Sequence, residues 1–134
     1  YEIVYFYNVY GPRQICVGDM ATVIGIFEHQ YKKKKPLSVV KPGSQSRRFT
    51  HIIDTVNACF YAWKMNRCRH YSISNKKTYS ILEVAKMFQT KIKFLPARKG
   101  ERFASALTNM NLSNKVYKLF GKIQLKNYIK SIII

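Results

Sequence analysis

Apolar positions recur along the chain with two alternating periods, one suited to strands and one to helices. Residues 3–7, Ile-Val-Tyr-Phe-Tyr, form an aromatic and β-branched run that stops at Gly11-Pro12, which predicts a buried strand. Between residues 21 and 31, Val23, Ile24, Phe27 and Tyr31 recur at helical spacing and lead into Lys32–Lys35 and then Pro36. Cations in a last helical turn suit the helix dipole, and the proline forbids continuation. Leu37–Val40 reads as a short strand closed by the turn Lys41-Pro42-Gly43-Ser44. A strand over residues 48–52 and a helix over 53–65 follow, and then a strand at His70–Ile73. Ser80-Ile81-Leu82-Glu83 is a capping box, in which Ser and Glu side chains satisfy each other's orphan amides, so a helix should open there and run to about residue 88. Ile92–Leu95 is a strand before Pro96, and two short helices, residues 114–120 and 125–133, flank Gly121. Strands alternating with helices predict an α/β fold in one region spanning residues 1–134, with neither an internal repeat nor a low-complexity linker.

Composition narrows the partners. The 134 residues carry 24 Lys plus Arg against 6 Asp plus Glu, a formal charge of +18, while 47% are hydrophobic. That apolar fraction suits a folded domain rather than a disordered basic tail, and the charge points toward anionic ligands. Cys16, Cys59 and Cys68 are an odd number without Cys-x-x-Cys spacing, and His29, His51 and His70 are scattered. No zinc site or disulfide framework can be written from them, so no metal is expected and the thiols are read as reduced in a cytoplasm. No apolar run approaches the roughly 20 residues of a spanning helix.

Several chemistries lack their motif. Neither a Gly-x-Gly-x-x-Gly cradle nor a Gly-x-x-x-x-Gly-Lys phosphate loop occurs, and there is no nucleophile elbow. Tyr31 and Lys35 formally satisfy Tyr-x-x-x-Lys, a spacing that places a phenol and an ammonium on one helix face. Here a lysine run beside a helix-ending proline meets it trivially, and a solvated charge run is the expected meaning.

Two stretches are more specific: Asn8-Val9-Tyr10-Gly11-Pro12-Arg13-Gln14 after a strand, and Gly43-Ser44-Gln45-Ser46-Arg47-Arg48-Phe49-Thr50-His51 leading through Asp54 into a helix. With Ala21-Thr22-Val23-Ile24-Gly25-Ile26-Phe27 between them, this order resembles the NAD-dependent epimerase/dehydratase family, the extended short-chain dehydrogenases that act on nucleotide-activated sugars. Tyr79 to Lys86, Pro96-Ala97-Arg98-Lys99-Gly100-Glu101 and Lys118-Leu119-Phe120-Gly121 extend the resemblance over essentially the whole chain. It matches the family's C-terminal, substrate-binding portion. The family's N-terminal cofactor half, the Rossmann core with its glycine loop and catalytic Tyr-x-x-x-Lys helix, would lie before Tyr1 and is expected to be missing from this chain.

The resemblance implies roles residue by residue. Asn8 would hydrogen-bond the substrate near the nicotinamide, with Tyr7 and Val9 flanking that end of the cofactor pocket. Arg47 and Arg98 would clamp the substrate diphosphate, for which a guanidinium fork is the matching donor. Glu101 would face the ribose, and backbone groups near Val39 and Val40 would read the base edge. The chain departs from the family pattern at Arg48 and Ile53, where Asp is usual, at Ser72, Ser74 and Lys76 in the Asn-Ile-Gly stretch, and at Tyr5. Phe49, Tyr61 and Trp63 are read as core or interface aromatics.

The implied function is binding of a nucleotide-diphosphate sugar. NAD belongs to the complete family enzyme; no tight NAD binding, no catalytic residue and no turnover are expected of this chain alone. Faces that pack on the cofactor half should be exposed and apolar, which favours self-association. The alternative is a basic nucleic-acid-binding module using Lys32–Lys35, Arg67, Arg69, Lys76 and Lys77, although no helix-turn-helix, RNP or Gly-x-x-Gly signature is present.

Overall fold

The computed structural model describes residues 1–67, 70–101 and 121–134. Their elements run β1 (Ile3–Phe6), β2 (Val9–Tyr10), α1 (Val23–Lys32), β3 (Leu37–Val40), β4 (Ser46–Arg48), β5 (Thr50–His51), α2 (Ile52–Met65), β6 (His70–Ile73), β7 (Thr78–Ser80), α3 (Ile81–Met87), β8 (Ile92–Leu95) and α4 (Leu125–Ile133). The expected α/β alternation is present. The helix expected over residues 114–120 lies outside the described residues, as do Cys68 and Arg69.

Strands pair in twos. β1 lies parallel to β6, β2 to β5 and β3 to β8, and β4 runs antiparallel to β7. Parallel partners require a crossover, and the helices supply it: α2 immediately precedes β6, and α3 immediately precedes β8. The strand predicted over residues 48–52 is instead two short strands, and β2 and β7 were not anticipated. At two or three residues each, they carry too few positions for a period to register. β1 was expected to be buried, yet its residues are half-buried or exposed, and Phe6 keeps 53% of its surface in solvent.

One hydrophobic cluster joins Ile24 and Phe27 of α1, Leu37 and Val39 of β3, Phe49, Val84, Ala85 and Phe88 around α3, and Leu125 and Ile129 of α4. A second packs Ala58 and Ala62 of α2 against Tyr71 and Ile73 of β6, with Val4 of β1 beside them. Ala at i and i+4 places two small side chains on the buried helix face and lets the helix approach the strands closely.

Local chemistry fixes the helix starts. Thr22 caps α1 by accepting from Gly25 N at 3.0 Å, and His51 caps α2 through Nδ1, which accepts from Ile53 N at 3.2 Å. At α3 the predicted capping box forms in both directions: Glu83 N donates to Ser80 Oγ at 3.1 Å and Ser80 N donates to Glu83 Oε2 at 2.6 Å. The turn after β3 needs Gly43, whose φ is +81° and where an added Cβ would lie 3.0 Å from Val39 Cγ1. Gly43 O in turn accepts from Leu82 N at 3.0 Å, which ties the turn to α3.

Candidate nucleotide-sugar cleft

A cleft of about 380 Å³ opens where the end of β1, the first turns of α1, alternate residues of β3, and β4 meet the segment after β8. Strand alternation decides which side chains reach it. In β3, Leu37 and Val39 are fully buried in the core, and Ser38 and Val40 line the cleft. In β4, Arg47 lines the cleft, whereas Arg48 Nη1 donates to Lys76 O at 3.1 Å. The charge at position 48 therefore meets the Lys76 loop rather than the cleft.

The walls are apolar and the charged groups few. Val23, Ile26 and Phe27 of α1 and Leu95 at the end of β8 provide a greasy lining. Arg47 is held in place: Nη1 donates to its neighbour's carbonyl, Ser46 O, at 2.8 Å, and Nη2 pairs with Glu101 Oε1 at 3.4 Å. Both partners of that pair are about four-fifths buried, with side-chain exposures of 20% and 22%. Arg98 adds a second guanidinium at the exposed edge. Two guanidiniums facing one carboxylate leave the cleft with surplus positive charge, the arrangement that attracts an anion.

Of the residues named from sequence, the structure brings Asn8, Val9, Val40, Arg47, Arg98 and Glu101 to this one cleft. Tyr7 and Val39 are not among its lining residues; the Val39 side chain is buried in the core, whereas the part expected of Val39 was its backbone's. The Val40 carbonyl accepts from Gln45 Nε2 at 3.2 Å, so one of its acceptor positions is already used. Glu101, expected at a ribose, reaches the Arg47 guanidinium. Sequence reasoning missed Thr22 and Gln45 as lining residues, and it did not separate Ser38 from the rest of its strand. Period-two alternation, applied to Leu37–Val40, would have selected Ser38 with Val40. Ser38 is itself fixed from α1, its N donating to Gln30 Oε1 at 3.0 Å and its Oγ accepting from Gln30 Nε2 at 2.7 Å.

The Tyr31/Lys35 pair does not serve this cleft. The Tyr31 phenol donates to Ile133 O at 3.4 Å and its ring packs on Phe88, between α1, α3 and α4.

Residues 1–75 match the model of the NAD dependent epimerase/dehydratase family. The chain belongs to that family. Among curated relatives, UDP-glucuronic acid decarboxylase 4 of Arabidopsis thaliana is 31% identical over 101 residues, which cover 71% of this chain and 22% of that protein. UDP-glucose 4-epimerase of Rickettsia canadensis is 29% identical over 99 residues, 69% of this chain and 29% of the relative. The fold is that of solved family members. UDP-N-acetylglucosamine 4-epimerase from Methanobrevibacter ruminantium superposes with a TM-score of 0.86 at 19% identity, and UDP-glucose 4-epimerase from Thermotoga maritima with 0.81 at 21%. Each alignment takes in 99% of this chain and 44% of the other. The chain thus spans under a third of the length of these curated relatives and under half of these structures. These epimerase/dehydratase relatives are sugar-nucleotide enzymes by name and lend nothing to the nucleic-acid reading. No helix among the described residues is long and apolar enough to cross a membrane.

Proposed function

We propose that this chain is the nucleotide-sugar-binding region of an NAD-dependent epimerase/dehydratase-family enzyme, and that its ligand is a nucleoside diphosphate sugar held in the cleft beside Arg47. The observation that carries the reading is the gathering of Arg47, Arg98, Glu101, Asn8 and Val40, dispersed over 94 residue numbers of sequence, around a single apolar cleft with surplus positive charge. A diphosphate leaving water needs charge-assisted donors on more than one oxygen, and two guanidinium forks supply them. Arg47 is already oriented by Ser46 and Glu101, so little side-chain freedom is lost when a phosphate replaces or joins the carboxylate. The planar base then lies against Val40 and Leu95, and Asn8, at the other end, meets the sugar.

Solved structures of this fold hold UDP-glucose in the Thermotoga maritima epimerase, UDP-glucuronic acid with NAD in the Bacillus cereus epimerase, and NAD in the Thermus thermophilus epimerase, which supports a UDP-sugar as the first probe. For NAD, the residues present do not fit. Val9 and Asn8 offer one rim of the cleft, Tyr7 lies outside its lining, and the Tyr31 phenol is engaged with Ile133 O. No chemical step is therefore assigned to this chain; its part is binding and orientation of substrate.

Calorimetric titration of the chain with UDP-glucuronic acid, with product followed in the same samples, tests this. Binding without turnover is expected, with Arg47→Ala weakening affinity by about tenfold or more, as loss of a charge-assisted contact implies, and Arg98→Ala by less. Affinity unchanged by Arg47→Ala, or turnover by the chain alone, contradicts the reading.

A further inference from the structure

The opposite face of α1 carries a second cleft, of about 230 Å³, lined by Arg13, Gln14, Cys16, Gly25, Glu28, His29 and Lys32. We infer that it is a thiol-exchange site, in which Cys16, with His29 as its base, forms a mixed disulfide with an anionic low-molecular-weight disulfide. The geometry is set by the loop of residues 11–22 lying directly on the helix. Thr22 N donates to Ile15 O at 3.0 Å, and an added Cβ at Gly25 would come within 2.4 Å of that same carbonyl. Only glycine permits that approach, and it puts Cys16 over the helix face one turn along, where His29 stands at i+4 from Gly25.

Cys16 Sγ lies 3.8 Å from His29 Nδ1, hydrogen-bond distance for sulfur. Cys16 is half-buried between the exposed Ile15 and Val17, so a small disulfide reaches it. The one carboxylate at the cleft does not compete for the imidazole. Glu28 accepts from Lys32 Nζ at 2.6 Å, from Tyr128 OH at 3.1 Å and from Gln14 Nε2 at 3.2 Å. Arg13 remains exposed at the rim. A thiol paired with a base, in a cleft edged by a guanidinium, favours attack on a disulfide that carries carboxylates.

The step balances without an external oxidant beyond the disulfide. His29 Nδ1 takes the proton of the Cys16 thiol, and the thiolate attacks one sulfur of the disulfide. A bond from Cys16 Sγ to that sulfur forms, the original S–S bond breaks, and the departing thiolate takes the proton back from the imidazolium. Cys59 is an internal reference: it is half-buried on α2, and burial pushes its thiol up.

The test exposes the reduced chain to oxidised glutathione (anionic), bis(2-hydroxyethyl) disulfide (neutral) and cystamine (cationic), mapping mixed disulfides by peptide mass spectrometry. Cys16 should react about tenfold faster than Cys59 with oxidised glutathione, and its preference for the anionic over the cationic probe should exceed that of Cys59. His29→Asn should slow Cys16 about tenfold, and Arg13→Ala should narrow the charge preference at Cys16 alone. Equal rates at Cys16 and Cys59, or equal charge preference at both, overturn the inference in the unmodified chain, whether or not a variant folds. Unchanged Cys16 reactivity in a folded His29→Asn variant overturns the role of the imidazole.

Discussion

His51 shows how one residue ties structure to pH. Its ring meets Tyr10 and Tyr128 edge-on, with centroids 5.2 and 5.7 Å away, and its Nδ1 caps α2. Burial disfavours the imidazolium and lowers the His51 pKa below its ordinary 6.5, and the nearby Asp54 charge offsets this only in part. Below 6.5 the unfolded chain therefore binds more protons at this site than the folded one. The stability it contributes is complete above that pH and is lost as pH falls through the lower folded value. Protonation of Nδ1 also abolishes the cap acceptor. Thermal melts should accordingly show Tm falling as pH is lowered from 7 to 5. His51→Asn, which keeps an acceptor at the cap, should flatten that fall, and His51→Ala should cost about 1 kcal/mol at pH 7. A pH response unchanged by His51→Asn would place the titration elsewhere. Glu28 obeys the same logic with a different balance: burial alone would raise its carboxyl, but hydrogen bonds from Lys32, Tyr128 and Gln14 outweigh it and hold the group below its usual range. Tyr128, half-buried beside that charge, is pushed up to about 12 by loss of water and by Glu28.

At the scale of elements, the strongest local signals were also the most accurately legible. Leu37–Val40, His70–Ile73, Ile92–Leu95 and the last helix have the bounds that periodicity and punctuation implied. The capping box at Ser80 and Glu83 is present in both its hydrogen bonds. Ser80→Ala should remove one of them and destabilise the fold by about 1 kcal/mol in denaturant unfolding, since α3 has only 7 residues over which to recover it. A change near zero would mean that packing of Val84 and Ala85 alone holds the helix. What escaped the sequence were β2 and β7, whose pairing is decided by the chain segments opposite them rather than by any pattern of their own. Site residues divide by the same cause. Those inside motifs, Arg47, Arg98, Glu101 and Asn8, meet at the cleft, whereas along β3 the alternation of side chains brings Ser38 and Val40 to it and buries Leu37 and Val39.

At the scale of the molecule, the charge of +18 resolves into unlike parts. Two guanidiniums enter the candidate cleft, Lys32 is paired to Glu28, and further lysines remain on the surface. A further feature is the apolar stripe of α2. Ile53, Val56, Phe60 and Trp63 recur at helical spacing with half or more of each side chain in solvent, and the rings of Phe60 and Trp63 lie 5.6 Å apart. An exposed apolar face of this kind commonly marks an interaction surface. Whether a nucleoside diphosphate sugar occupies the proposed cleft between α1, β3 and β4 is decided by a backbone and side-chain NMR titration of the chain with UDP-glucuronic acid. Saturable shifts confined to Asn8, Ser38, Val40, the Arg47 and Arg98 guanidinium groups and Leu95 are expected; shifts confined to Lys32–Lys35 and other surface lysines, or none at the cleft, would contradict that occupancy.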